Sequence, residues 1–216
     1  MESKAIKKKS TLLKDALALF LITLISGLSL SYIYEVTKAP IEEQKLLKKQ
    51  KANQAVFLEA ETFEEDEELE SLAANTDLTS LNAKYKGITI DEINKAYNSN
   101  GELLGYDITV STTQGYKDVI TIVIGYSLDG TIEGMQMLAL NETAGLGMRA
   151  SDPDFISQFT GKQVEQFERT KTGATAENQI DALSGATITT DAVVNAVNAG
   201  ISFVKTYAEL GGGQNE

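Results

Sequence analysis

The chain contains no cysteine and no histidine in 216 residues. Without cysteine there is no disulfide, no thiolate nucleophile and no cysteine-ligated iron–sulfur cluster. Without histidine there is no His-based triad, no usual haem ligand and no ordinary zinc, copper or non-haem iron site. Excess positive charge is missing too: the net charge is −12. Phosphate backbones need a basic surface, so nucleic acid is excluded as a general partner. Any chemistry falls to carboxylates, hydroxyls, lysines, backbone groups or a borrowed cofactor.

What is present begins with a long apolar run. No charge falls between Asp15 and Glu35. The 19 residues from Ala16 to Tyr34 give a helix of roughly 28 Å, close to a bilayer core of about 30 Å. Lys4, Lys7, Lys8, Lys9 and Lys14 precede it, which keeps a basic tail (residues 1–15) on the cytoplasmic side. Tyr32 and Tyr34 suit the far interface. A cleaved signal peptide also has a basic start, but its apolar core is shorter, about 7–15 residues. The expectation is a single-pass anchor at 16–34, N-terminus cytoplasmic, with the rest of the chain outside the cell membrane.

Residues 35–90 read as a juxtamembrane helical and acidic segment. Ile41, Leu46, Leu47, Ala55 and Leu58 sit among charges, as on a surface helix. Lys45, Lys48, Lys49 and Lys51 either touch lipid headgroups or form a solvated face. The run "ETFEEDEELESL" lacks the spacing of an EF-hand loop, so it reads as a solvated helix or loop, with no metal site.

From Asp91 to about residue 210 the pattern is that of a folded domain. "YKDVITIVIGYSLDGTIEGMQMLAL" is a hairpin turning at Leu128-Asp129-Gly130. Ile120, Ile122 and Ile124 fill one face of its first strand, and Val123 hints that the other face is covered as well. A final helix starts near Thr190-Asp191, with Val193, Val197, Ile201 and Val204 on one stripe. Residues 211–216 form a tail. Strands and helices interleave without a regular βαβ rhythm, so the fold class is α+β with an antiparallel sheet.

Two stretches invite chemistry. "DALSGATITTDAVV" sets small residues and hydroxyls directly before a helix. A helix N-terminus offers unpaired N–H groups that favour a phosphate; the plain alternative is a capped helix start. "LNETAGLGMRASDPDF" places Glu142, Gly145 and Gly147 after the hairpin, without P-loop or G-x-G-x-x-G spacing. An earlier patch, "KTGAT", nearly repeats the first one.

"DALSGATITT" resembles the flavinylation motif D-x-x-[ST]-G-A-T of the FMN-binding domain family. "NETAGLG" is similar to that family's H-x-E-T-P-G-L-G loop, and the hairpin is similar to its strand pair. The whole chain resembles the G-subunit family of Rnf-type ion-translocating ferredoxin:NAD oxidoreductases. The resemblance implies a covalent FMN, joined through its phosphate to Thr187 by a flavin transferase. Asp181, Ser184, Gly185 and Ala186 would form the recognition context. Glu142, Thr143, Gly145, Leu146 and Gly147 would lie against the flavin. Leu140 stands where the family has histidine, and Ala144 where it has proline. The earlier patch has Arg169, not aspartate, three residues ahead of Thr172, which makes Thr175 a decoy. The implied role is electron transfer within a larger complex of membrane subunits, with no catalytic residue of its own. Two other readings share the pattern: a flavoprotein subunit of a sodium-translocating NADH:quinone reductase, and a cofactor-free extracytoplasmic binding module.

Overall fold

The computed structural model describes residues 11–208, with the terminal helices continuing to Glu2 and Gly211. The tail from residue 212 and the side chains of Lys4, Lys7, Lys8 and Lys9 lie outside the described residues. The chain divides between Leu47 and Lys48 into two units.

The first unit is the greater part of one helix, α1 (Glu2–Val56). It runs through Pro40, whose ring nitrogen has no hydrogen to give to the Val36 carbonyl. Residues 11–48 are all exposed, including Leu17, Phe20, Ile25 and Ile33. Such an unburied apolar surface is what lipid covers, and the helix is long and apolar enough to cross a membrane.

The second unit is built on a six-stranded sheet in which neighbours in sequence are neighbours in space. Its strands are β1 (Thr62–Glu65), β2 (Ile88–Tyr97), β3 (Leu103–Thr112), β4 (Ile120–Ser127), β5 (Thr131–Ala139) and β6 (Lys162–Gln163). Every pairing in it is antiparallel. A small parallel pair, β7 (Glu168–Thr170) and β8 (Gln179–Asp181), stands apart. The helices are α2 (Glu67–Asn75), a single turn α3 (Pro153–Ile156) and α4 (Thr187–Gly211). The architecture is α+β, as the mixed periodicities predict.

Both faces of the sheet are covered. On one face α4 packs so closely that a Cβ at Gly200 would stand 3.1 Å from Val110 and 3.3 Å from Ile124. Ile93, Ile108, Ile122, Ile124 and Met135 complete that core. The other face receives the end of α1. A Cβ on Gly125 would stand 2.4 Å from the Val56 carbonyl oxygen, and one on Gly134 would stand 2.8 Å from Val56 Cα. Gly125 and Gly134 are cross-strand partners, so their paired lack of side chains makes a slot for the helix backbone. Val56 and Phe57 are buried there, each worth roughly 1.5–3 kcal/mol relative to exposure.

Three local expectations are corrected. The acidic segment is not merely solvated. Asp66 accepts the Leu69 N–H at 3.1 Å, capping α2, and pairs with Lys95 at 2.8 Å. Glu70 accepts the Ile93 N–H at 3.0 Å. Asp66 thus serves a donor in the first turn of α2 and Glu70 one on β2, while Leu69 and Ala73 are buried. Lys48 and Lys49 do not reach toward lipid either: they bond the Leu138 carbonyl and Glu92. Finally, α4 starts at Thr187, three residues before the expected Thr190. The β-branched run Thr187 to Thr190 has low helix propensity and masks the start.

Candidate functional site

The site forms where two loops meet at the start of α4. The first follows β5. Its backbone turns tightly, with the Leu146 and Met148 N–H groups both donating to the Thr143 carbonyl at 3.1 and 3.2 Å. That turn tucks Glu142 inward, 5% exposed. One Glu142 oxygen accepts the Lys117 N–H at 3.2 Å and the other accepts the Thr189 hydroxyl at 3.3 Å. Gly147 leaves the room this requires: a Cβ there would stand 2.6 Å from Thr189 Oγ1 and 2.8 Å from Glu142 Cβ.

The second loop is the Ser184-Gly185-Ala186-Thr187 stretch. The Ala186 N–H donates to the Leu183 carbonyl at 3.0 Å, closing a turn. Gly185 sits inside it at φ +76°, a left-handed position that suits glycine. Thr190 braces the turn, donating to the Ala186 carbonyl at 2.9 Å and accepting the Leu183 N–H at 3.1 Å. The Thr190 N–H also donates to the Ala186 carbonyl, at 3.0 Å. Ala186 is therefore the N-cap of α4. The N–H groups of Thr187, Ile188 and Thr189 precede the first helical bond, and alanine has no side-chain oxygen to accept any of them.

A cavity of about 480 Å³ opens between the two loops. Glu142, Thr143, Leu146 and Gly147 line it from one side, and Gly185, Ala186, Thr187, Ile188 and Thr189 from the other. Tyr116, from the loop between β3 and β4, completes the wall. Most of the residues singled out in the sequence are thus brought together, from loops far apart in the chain. Three are not among the lining residues. Gly145 and Ser184 are exposed at the loop tips. Asp181, on β8, borders a different, polar cavity of about 610 Å³, together with Thr175, Asp154 and Lys162. Thr175 is exposed, and its N–H and hydroxyl both bond the Gln179 side-chain oxygen at 2.9 and 3.1 Å. Arg169, which stands where the motif wants aspartate, pairs with Asp191 in the first turns of α4.

Tyr116 and Ile188 went unread in the sequence, and Thr189 stood there only as one of the hydroxyls ahead of the helix. The signal for Thr189 was its place two residues after Thr187, but helical phase was needed to aim it at Glu142. Nothing local marked Tyr116. Among the described residues, no group of three or more acidic side chains is placed to hold a metal ion.

The pattern of the FMN-binding domain family matches residues 115–202, a stretch that holds both loops and the start of α4. The chain is 33% identical over 202 residues to the G subunit of the Na(+)-translocating ferredoxin:NAD(+) oxidoreductase complex of Acetobacterium woodii, covering 91% of this chain and 93% of that one. It is 30% identical over 220 residues to the G subunit of the ion-translocating oxidoreductase complex of Aliivibrio fischeri, covering 93% of each. The corresponding protein of Methanosarcina acetivorans is 28% identical over 192 residues, 88% of this chain and 93% of that one. Among solved structures, NqrC of Shewanella oneidensis superposes with a TM-score of 0.47 at 23% identity, over 55% of this chain and 59% of that one. With relatives matched nearly end to end and an FMN-binding domain at the site, the chain belongs to the family of G subunits of ion-translocating oxidoreductase complexes.

Proposed function

We propose that this chain is a membrane-anchored electron carrier that holds FMN through a phosphate ester to Thr187, as one component of an Rnf-type complex. One observation carries the reading: Thr187 lines a cavity at the start of α4, where the N-cap residue, Ala186, has no side-chain oxygen. The cavity, at about 480 Å³, falls within the usual size of roughly 300–1,000 Å³ for cofactor sites. Three free N–H groups and the positive end of the α4 dipole suit a phosphate there. Gly185 and Gly147 keep the backbone close, and Tyr116, Leu146 and Ile188 give apolar surface for a ring system. Glu142 holds the two loops in register through Lys117 and Thr189.

Attachment needs a flavin transferase and FAD. The Thr187 oxygen attacks the phosphorus on the FMN side of the pyrophosphate, and its proton passes to a base. The P–O bond to the adenylate side breaks, and AMP leaves. The bound flavin supplies chemistry that no side chain here has, accepting electrons singly or in pairs. The protein fixes its position, and the ester prevents its loss on the extracytoplasmic side. The other membrane subunits supply the ion path, since a single anchor helix encloses none.

The test is spectroscopic, on the assembled complex. Reduced ferredoxin should bleach the absorbance of the flavin on this chain, and NAD should restore it, at the rate of turnover. A complex that turns over while this flavin stays oxidised would remove the chain from the electron path.

A further inference from the structure

The face of the sheet under the end of α1 contains four buried side-chain oxygens with no hydrogen-bond partner. They are Asn53 Oδ1, both carboxylate oxygens of Asp107, and Thr109 Oγ1. Asp107 is 0% exposed, and Asn53 and Thr109 are each 6% exposed. Buried polar groups are almost always paired, because an unpaired one costs about 1–3 kcal/mol and a bare charge more. Four orphans in one region need an occupant.

They do share one region. Phe57 lies over Gly105, where a Cβ would stand 3.0 Å from its ring. Lys49 pairs with Glu92, the cross-strand partner of Thr109. The Phe57 N–H donates to the Asn53 carbonyl at 3.2 Å, so helical geometry continues that far. Four helical residues rise about 6 Å, and two strand residues about 6.6 Å. Running antiparallel to β3, the helix therefore sets Phe57 over Gly105, Asn53 over Asp107 and Lys49 beside the pair formed by Thr109 and Glu92.

The chemistry of the orphans selects the occupant. All four are oxygens. The nearby cation, Lys49, is spent on Glu92, which also receives the Asn94 amide at 3.2 Å. Solvent reaches none of the four atoms. A space that admits no water admits no hydrated cation; a proton needs no space.

We propose that Asp107 is a proton-binding site: its neutral carboxyl group donates to Asn53 Oδ1 and clamps the end of α1 to the sheet. One proton taken from solvent removes the bare buried charge and gives Asn53 Oδ1 a donor. The charged groups around it agree. Burial pushes the Asp107 carboxyl up from 3.8 to about 8, the Glu92 carboxylate adds to the rise, and Lys49 opposes it. Glu65 on β1 stands one strand further away, across Asn94. The residues facing Asp107 from β4, Val123 and Gly125, carry no charge. Between 3.8 and about 8 the unfolded chain is ionised while the folded one keeps its proton. The clamp is therefore strongest in acid, weakens as pH rises through that window by up to about tenfold in the folding equilibrium per pH unit, and is gone above it. The helix that leaves the membrane is thereby joined to the redox domain by a contact that reads the proton concentration.

Infrared spectra of the full-length protein in detergent test this between about pH 5 and about pH 10. The expected result is a protonated-carboxyl C=O band that persists at neutral pH and disappears near pH 8. It should be missing in Asp107→Asn, and shifted in frequency but present in Asn53→Ala. The second variant keeps the test alive if the first does not fold. Absence of the band at neutral pH would overturn the proposal, as with an Asn53 amide turned to donate to an ionised carboxylate. A band unchanged in Asp107→Asn would also overturn it. So would stabilisation by sodium chloride over choline chloride that Asp107→Asn abolishes, which would make the occupant a cation.

Discussion

The Thr189 hydroxyl donates to Glu142 Oε2 across 3.3 Å, with both side chains buried. This bond joins the loop after β5 to the first turn of α4, and so sets the width of the cavity between them. Thr189→Val removes the donor but keeps the shape. It leaves a buried carboxylate oxygen unpaired, at a cost of about 1–3 kcal/mol. We expect a lower unfolding midpoint together with a shifted flavin potential. Glu142→Ala should shift the potential or the visible spectrum while FMN stays attached. Redox titration of the two variants checks both effects; potentials equal to the parent's would take Glu142 out of the flavin's surroundings.

The packing of α1 on the sheet gives a second prediction. Gly125→Ala puts a methyl group 2.4 Å from the Val56 carbonyl oxygen, a contact that forces backbone to move. Overpacking of this kind costs typically about 1–3 kcal/mol. The end of α1 should lift from the sheet, and limited proteolysis should then cut near residues 48–60 faster than in the parent. The α4 face should stay protected. Cleavage rates that match the parent's would show that the slot tolerates a methyl group.

How much of this was legible in the sequence differs by element. The hairpin of β4 and β5 was, because its alternation and its Asp129-Gly130 turn are local signals. So were the two loops of the site, each carrying its own motif. The slot for α1 was not. Gly105, Gly125 and Gly134 lie on three strands and become one feature only through strand register. Val123 gave a partial warning, since a buried residue on the supposedly outer face needs a cover. The acidic run misled for a related reason: Asp66 and Glu70 act on groups of β2, about 23 residues or more ahead in the chain. Nothing local marks Asn53 and Asp107, which lie 54 positions apart in the chain and are both buried only in the fold.

Topology gives a third prediction. The lysines before Ala16 and the exposed apolar surface of α1 motivate it. Protease added outside the cell should digest residues beyond Tyr34, and the mature protein should retain its first residues. An N-terminus beginning past Ser31 in the purified protein would show signal cleavage instead of an anchor. Digestion only from the cytoplasmic side would reverse the orientation.

The central claim is the attachment of FMN at Thr187. Two threonines compete for it, each ending a Gly-Ala-Thr run. Thr187 lines the cavity at the uncapped start of α4; Thr175 is exposed and bonded to Gln179. A phosphate ester at Thr187 would set its remaining negative charge near the helix dipole, worth about 0.3–1 kcal/mol. Peptide mass spectrometry of the protein co-expressed with a flavin transferase decides between them. FMN should be found on the peptide containing Thr187, be lost in Thr187→Val, survive in Thr175→Val, and form more slowly in Asp181→Ala. FMN retained in Thr187→Val, or lost only in Thr175→Val, would contradict the account and move the site to the earlier patch.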